Sequence, residues 1–126
     1  MPKEYSFKDI GGYNFLQPVR DQSACGSCFT TSFVAVIESR LNLMYGHAMP
    51  QVSMQFILSC NYLNEGCEGG WSILNGYWAE NAYLVDEDCA PYKSKTKGIA
   101  CSKYQSCPPI AKVKSSYFLG GAFGQF

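Results

Sequence analysis

The residues best suited to chemistry form a short loop with two cysteines, residues 22–29 (QSACGSCF). The stretch that follows has helical apolar spacing, so Cys28 is expected at or just before a helix start. The unpaired N–H groups and the dipole of a helix N-terminus favour a thiolate there. Cys25 lies in a Gly/Ser turn and need not share that environment. The loop could hold a nucleophile, a redox pair or part of a metal site.

Two of these three interpretations have weak support. Cys25 and Cys28 have a usable zinc spacing, but six residues separate Cys60 from Cys67, more than a usual zinc knuckle allows. A thioredoxin-like redox pair would follow a strand in a βαβ context, and the sequence has no such pattern. We therefore predict no metal site.

The composition is that of one globular domain. The 126 residues are 47% hydrophobic and 15% aromatic, enough for a core. Ten basic and ten acidic residues give zero net charge with no run of either sign, which argues against nucleic acid or an anionic membrane as partner. The apolar stretches are far shorter than the ~18 residues of a membrane span.

The seven cysteines indicate an oxidising compartment. An odd number leaves at least one thiol over if the others pair. The polar N-terminus lacks the apolar region of a signal peptide. We therefore expect a mature or truncated piece of a protein from an oxidising compartment.

The longest predicted element is a helix over residues 30–45. It should stop at Gly46, and Pro50 prevents it from resuming. Ser32, Glu38, Ser39 and Asn42 fall largely off its predicted apolar face. That face consists of Phe29, Phe33, Val36, Ile37, Leu41 and Met44.

Shorter elements are predicted on both sides of this helix. Residues 1–24 form an extended arm, and Ser53 caps a second helix over 54–59. In a third helix, over 72–81, Gly76 indicates close packing. Residues 111–118 alternate weakly as a strand does. A lone strand needs partners, which must come from a missing segment or another chain.

Three motifs resemble those of the papain-like cysteine peptidases (C1 family). Residues 22–29 match the active-site pattern C-G-[SA]-C-[WY], with Phe29 as the aromatic residue at the last position. Residues 66–70 (GCEGG) match the family's Gly-Cys-x-Gly-Gly loop, and residues 90–92 (APY) resemble its Tyr-Pro-Tyr turn. Within the family, residues 19–22 (VRDQ), Glu68 and the cysteine spacing are most similar to the cathepsin C (dipeptidyl peptidase I) branch.

The resemblance, over residues 5–121, implies an α+β, disulfide-rich papain-like fold. Residues 1–24 would be an arm, 25–110 a mainly helical left-hand domain with a central helix, and 111–126 the first strand of an incomplete right-hand β domain. It also implies three disulfides, which would leave Cys28 free: Cys25–Cys67, Cys60–Cys101 and Cys89–Cys107.

The resemblance further assigns roles in catalysis. Cys28 would be the nucleophile that forms a thioester acyl-enzyme, and the Gln22 side chain with the Cys28 N–H would form the oxyanion hole. Gly26, Gly69 and Gly70 would present bare backbone to an extended peptide substrate. Tyr92, in the third motif, is predicted to pack.

The family's general base is a histidine, oriented by an asparagine, about 130–150 residues beyond the nucleophile. The given chain reaches neither position, and its one histidine, His47, is predicted to be a surface residue. The sequence therefore predicts a cysteine peptidase part with the nucleophile and oxyanion hole but without the histidine and asparagine. The alternative is a catalytically incompetent remnant or a binding module.

Cofactor and partner expectations follow from the same resemblance. No cofactor is required, although cathepsin C-like enzymes bind chloride through two tyrosines. Ile73 and Phe118 stand at the matching positions, which argues against chloride. The expected partners are a peptide or protein substrate and a second chain that could carry the histidine and asparagine. The expected location is a lysosome- or vacuole-like compartment or the cell exterior.

Overall fold

The computed structural model describes residues 2–119, and its longest element is helix α1, Cys28–Tyr45. The helix follows Ser27, whose carbonyl oxygen accepts the N–H groups of Thr30 and Thr31, both at 2.9 Å. It ends before Gly46, which has a left-handed φ of 71° that glycine adopts without steric cost. The predicted position of Cys28 at the helix start and the stop at Gly46 are both confirmed.

The face that α1 buries is more polar than predicted. Glu38, Ser39 and Asn42 are buried, whereas Val36 and Met44 are 49% and 73% exposed. The predicted placement of these five side chains was therefore wrong. The spacing of apolar residues could not predict this burial, because the hydrogen-bond partners of the polar side chains lie in other segments of the sequence.

The N-terminal arm and the segment after α1 supply those partners. Asn42 donates to the Phe15 carbonyl oxygen at 3.1 Å and accepts the Met49 N–H at 2.7 Å. Glu38 accepts the Val52 N–H at 2.7 Å. A polar side chain can be buried without a large penalty when its hydrogen bonds are satisfied.

Helix α2, Met54–Cys60, runs through the core. Its predicted cap is confirmed, because Ser53 Oγ accepts the Phe56 N–H at 2.9 Å. The same hydroxyl donates to the Ala90 carbonyl oxygen at 2.6 Å, which ties the helix start to a distant loop. Apolar side chains from α1, α2 and the flanking segments make up the centre of the core: Val34, Val52, Ile57, Leu84 and Val85.

Helix α3, Ser72–Asn81, has the predicted bounds and packs against α1. A Cβ added to Gly76 would lie 2.8 Å from Ser116 Cβ, so the predicted close packing is confirmed. Ser116 also donates its N–H to Glu80. These contacts hold Ser116 against α3.

The predicted strand over 111–118 does not form within the described residues. Leu84 and Ala111 make an isolated antiparallel bridge, with the Leu84 N–H 2.8 Å from the Ala111 carbonyl oxygen. Beyond Ala111 the chain has no further strand pairing up to residue 119, because no neighbouring strand lies beside it. The glycine pair predicted to end the strand lies outside the described residues, and the division into three domains stays a prediction.

Two disulfides join the short 3₁₀ helix Cys101–Tyr104 and its surroundings to the rest of the domain. Cys60 at the end of α2 is bonded to Cys101, and Cys89 is bonded to Cys107. Both pairs are those that the resemblance implies. No helix within residues 2–119 combines the length and apolar character needed to cross a bilayer.

Candidate active site

Cys28 is the first residue of α1 and is exposed to solvent. It is the one free cysteine, because the other six form disulfides. The N–H groups of the first helical turn have no partner within the helix and point toward this end. The structure thus places an accessible thiol where a negative charge is favoured.

Beside Cys28, a disulfide joins two loops, residues 22–27 and residues 66–70. Cys25 and Cys67 are bonded, with their Cα atoms 4.6 Å apart. The Gly26 N–H also donates to the Cys67 carbonyl oxygen at 2.9 Å. The covalent bond and the hydrogen bond together fix the distance between the two loops.

The two loops approach each other so closely at Gly26 that a residue with a side chain would not fit there. An added Cβ would lie 2.7 Å from the Cys67 carbonyl oxygen, a backbone atom that cannot rotate away. We expect Gly26→Ala to lower the free energy of unfolding by about 1–3 kcal/mol and to separate the loops. Urea denaturation of the original protein and of Gly26→Ala measures the effect. A Gly26→Ala protein with an unchanged free energy of unfolding would contradict this explanation.

The two other glycines predicted to face substrate differ from each other. A Cβ added to Gly70 would overlap the Asn64 side-chain amide, which accepts the Trp71 N–H at 2.8 Å. Gly69 has a φ of 119°, and a Cβ there would point into open space. The structure therefore explains Gly26 and Gly70 by packing within the protein, and substrate binding by the three glycines stays a prediction.

Gln22 is half-buried, and its side-chain amide is fixed close to Cys25. Its Nε2 donates to the Cys25 carbonyl oxygen at 3.0 Å, and the Ser27 N–H donates to the same oxygen at 2.7 Å. An amide nitrogen carries two hydrogens, so one N–H remains for another acceptor. Gln22 lies in the loop that leads into α1 and Cys28, and its role in an oxyanion hole stays a prediction.

Tyr92 is a residue of this site that sequence reasoning missed. Its hydroxyl donates to the Gln22 carbonyl oxygen at 2.6 Å and lies 2.8 Å from Ser27 Oγ. It was predicted only to pack, and it does pack against the buried cluster of Cys25, Phe29 and Leu58. Its position in the third motif was the signal that could have identified it.

A group of amides orients the start of α3 and the 66–70 loop relative to α1. Asn75 is fully buried and donates to the Phe29 carbonyl oxygen at 3.1 Å, while its own Oδ1 accepts from both Asn61 and Asn64. Ser72 donates to the same Phe29 oxygen at 2.8 Å. The first turn of α1 is thereby tied to α3.

Arg20, Glu38 and Glu87 form a network of charged side chains next to the candidate site. Arg20 contacts Glu38 directly and lies 3.6 Å from Glu87 Oε2. Burial raises the pKa of both carboxyl groups above the ordinary glutamate value, and the charge of the single shared guanidinium offsets this only in part. Glu87 in turn accepts the Tyr92 N–H at 2.7 Å, so the network connects to the site.

The raised pKa values of Glu38 and Glu87 predict higher stability in mild acid. Where the folded-state pKa is raised, the folded protein binds more protons than the unfolded chain, so unfolding free energy falls as pH rises. This contribution is present below about pH 4.3 and is lost as pH rises through the raised values. Urea denaturation from pH 4 to pH 7.5, compared with Glu38→Gln, measures it. An identical pH slope in the two proteins would contradict the assignment.

His47 lies at the other end of α1 from Cys28. The 18 residues of the helix separate them by about 27 Å along its axis. His47 is exposed, and its Nδ1 lies 3.0 Å from the Ala48 carbonyl oxygen. It is therefore too distant to exchange a proton with Cys28. Within residues 2–119 no three metal-ligating side chains cluster.

Comparison with known proteins identifies relatives of this chain. A sequence profile described as "Papain family cysteine protease" matches residues 1–119. The chain is 41% identical over 109 residues to cysteine proteinase B of Leishmania mexicana, covering 83% of this chain and 24% of that protein. It is 30% identical over 116 residues to cathepsin C of Schistosoma mansoni, covering 90% of this chain and 25% of that protein.

A third relative and two solved structures agree with these matches. Identity to pro-cathepsin H of Bos taurus is 36% over 104 residues, covering 80% of this chain and 30% of that protein. The recombinant stem bromelain precursor superposes with a TM-score of 0.76 at 26% identity, covering 90% of this chain and 35% of that chain. The Carica candamarcensis cysteine protease CMS1MS2, solved in complex with E-64, superposes with a TM-score of 0.71 at 29% identity, covering 79% of this chain and 46% of that chain. The chain therefore spans a quarter to less than half of the length of these proteins.

Proposed function

Because this chain belongs to the papain family of cysteine proteases, a family of hydrolases, we propose that it carries the nucleophile of a peptide-bond hydrolase. The observation that carries the proposal is the accessible Cys28 thiol, the one cysteine outside the disulfides, at the N-terminus of α1. The substrate class is a peptide or protein, in keeping with the family.

In the proposed reaction the Cys28 thiolate attacks the carbonyl carbon of the scissile peptide bond. The resulting oxyanion accepts hydrogen bonds from the Cys28 N–H and from the free N–H of the Gln22 amide. Collapse of this intermediate releases the amine with a proton and leaves a thioester on Cys28. Water then attacks the thioester, which releases the carboxylic acid product and returns the thiol.

The proton transfers need a general base close to Cys28. His47 cannot serve, because it lies at the opposite end of α1. We propose that a histidine and its orienting asparagine come from another part of the protein or from a second chain. The alternative is a remnant or binding module, which would keep the site geometry without turnover.

Dipeptidyl peptidase activity is a finer proposal, supported by the 30% identity to cathepsin C of Schistosoma mansoni. Its test is a pair of peptide substrates that differ only in a free or an acylated amino terminus. Faster cleavage of the free-amine substrate supports the proposal, and equal rates contradict it. We propose no dependence on chloride, because Ile73 and Phe118 offer no hydroxyl group to bind it.

A location in a lysosome- or vacuole-like compartment or outside the cell is also proposed. The three disulfides fit an oxidising compartment.

Selective alkylation tests the nucleophile. Iodoacetamide applied to the native protein should label Cys28 alone, as read by mass spectrometry, and one equivalent should stop peptide hydrolysis. Cys28→Ser is the matched control and should take up no label until the disulfides are reduced. Labelling of Cys25 or Cys67 at the same rate as Cys28 would overturn the assignment, and full activity after labelling would overturn the proposed chemistry.

A further inference from the structure

Tyr92 links the two backbone segments from which the proposed oxyanion donors project. Its phenol oxygen lies 2.6 Å from the Gln22 carbonyl oxygen and 2.8 Å from Ser27 Oγ. Since a carbonyl oxygen only accepts, the single phenol proton is donated to Gln22. The Ser27 hydroxyl must therefore be the donor in the second bond. The three groups form one directed chain, from Ser27 through Tyr92 to Gln22.

The two ends of this chain are the residues that set the proposed oxyanion hole. Ser27 directly precedes Cys28, and its carbonyl oxygen accepts the N–H groups of Thr30 and Thr31 in the first turn of α1. Gln22 carries the side-chain amide that is the second donor. A change in the position of either backbone segment would move one donor relative to the other.

Tyr92 is itself held in place from three directions. Its N–H donates to Glu87 Oε1 at 2.7 Å, and its side chain packs against the buried cluster of Cys25, Phe29 and Leu58. The next residue, Lys93, donates its N–H to the fully buried Gln55 side chain at 2.9 Å. The phenol oxygen is thus a fixed point and can define the position of the groups bonded to it.

We propose that Tyr92 is a positioning residue that sets the distance between the Gln22 amide and the Cys28 N–H. It acts through Gln22 and Ser27 and does not touch the substrate. Donors that are already in position require no reorganisation when the oxyanion forms, and a displacement of about 1 Å can cost 10²-fold in rate. The inference rests on the proposed function of Cys28 and Gln22.

The test is Tyr92→Phe in the protein, with Tyr104→Phe as the control for loss of a buried phenol outside the site. We expect Tyr92→Phe to reduce kcat for peptide hydrolysis about 10-fold with KM changed less than about twofold. Alkylation of Cys28 by iodoacetamide should keep its rate, because displacement of iodide forms no oxyanion. A loss of alkylation rate equal to the loss of kcat, or an effect on KM alone, would overturn the proposal.

A double substitution shows whether Tyr92 acts through Gln22. Gln22→Ala should reduce kcat about 10²–10³-fold, and adding Tyr92→Phe to it should change kcat less than about twofold, since the amide is already absent. A full additional 10-fold loss would overturn the proposal.

A readout that needs no turnover separates this inference from the proposed function. If the native protein hydrolyses no peptide, the proposed function fails. The side-chain amide resonances of Gln22, followed by NMR, then decide about Tyr92. A shift toward the values of a free glutamine in Tyr92→Phe, with no change in Tyr104→Phe, supports the positioning role. Unchanged Gln22 resonances in Tyr92→Phe overturn it.

Discussion

Replacing Cys28 with serine is expected to lower the rate of peptide hydrolysis by at least about 10⁴-fold, because the thioester intermediate can no longer form. Cys28 is exposed and takes part in no disulfide, so the substitution removes the nucleophile without opening a cavity. The free energy of unfolding should stay within about 0.5 kcal/mol of the original value. A fluorogenic peptide assay and urea denaturation measure the two quantities.

Two outcomes would contradict this prediction. Retention of more than a tenth of the activity would show that another group attacks the substrate. A large loss of stability would show that Cys28 has a structural role that the exposed side chain does not indicate. Cys28→Ala is the parallel variant, since it removes the weak nucleophilicity that a serine hydroxyl could retain.

The second large effect concerns two disulfides that close loops of nearly equal length. Cys25–Cys67 spans 42 residues and Cys60–Cys101 spans 41. Chain-entropy arguments give each a contribution of about 4 kcal/mol, so replacing either pair with alanine should destabilise the protein to a similar degree. Only the Cys25–Cys67 pair borders Cys28, however, and its loss leaves the Gly26–Cys67 backbone hydrogen bond as the remaining link described between the two loops.

The matched pair therefore separates stability from site geometry. At a temperature where both variants remain folded, the protein without Cys25–Cys67 should lose peptide hydrolysis by about 10-fold or more. The protein without Cys60–Cys101 should keep most of its activity. Circular dichroism measures folding and a peptide assay measures activity. Equal activity in the two variants would show that the bridge beside Cys28 does not control the site.

The bounds of the helices could be predicted from the sequence because their signals are local. Ser53 caps the helix that it precedes, and Gly46 adopts the left-handed conformation that ends α1. Gly76 marked a close contact, although the sequence could not identify Ser116 as its partner. The position of Cys28 at the helix start followed from the same local pattern.

The rest of the site depends on contacts between residues far apart in the chain. Burial of Glu38 and Asn42 could not be predicted, because their hydrogen-bond partners lie in other segments of the chain. These partners are Arg20 for Glu38, and Phe15 and Met49 for Asn42. The hydrogen bonds of Tyr92 cross 65 and 70 residues of sequence. The prediction of a strand over residues 111–118 was wrong for a related reason. Alternating apolar and polar residues indicate a strand, but they do not show whether a second strand lies beside it to pair with.

The buried polar side chains of α1 bind the largely exposed N-terminal arm at two points. Arg20 contacts Glu38, and the Phe15 carbonyl oxygen accepts from Asn42. Proteolysis after Arg20 that released the arm would leave the Val52 N–H as the remaining partner of Glu38 and the Met49 N–H as the remaining partner of Asn42. Loss of the buried Arg20–Glu38 ion pair alone would cost about 3 kcal/mol or more. A cut between Phe15 and α1 would therefore weaken the helix that carries Cys28, whereas a cut before Phe15 would keep both contacts.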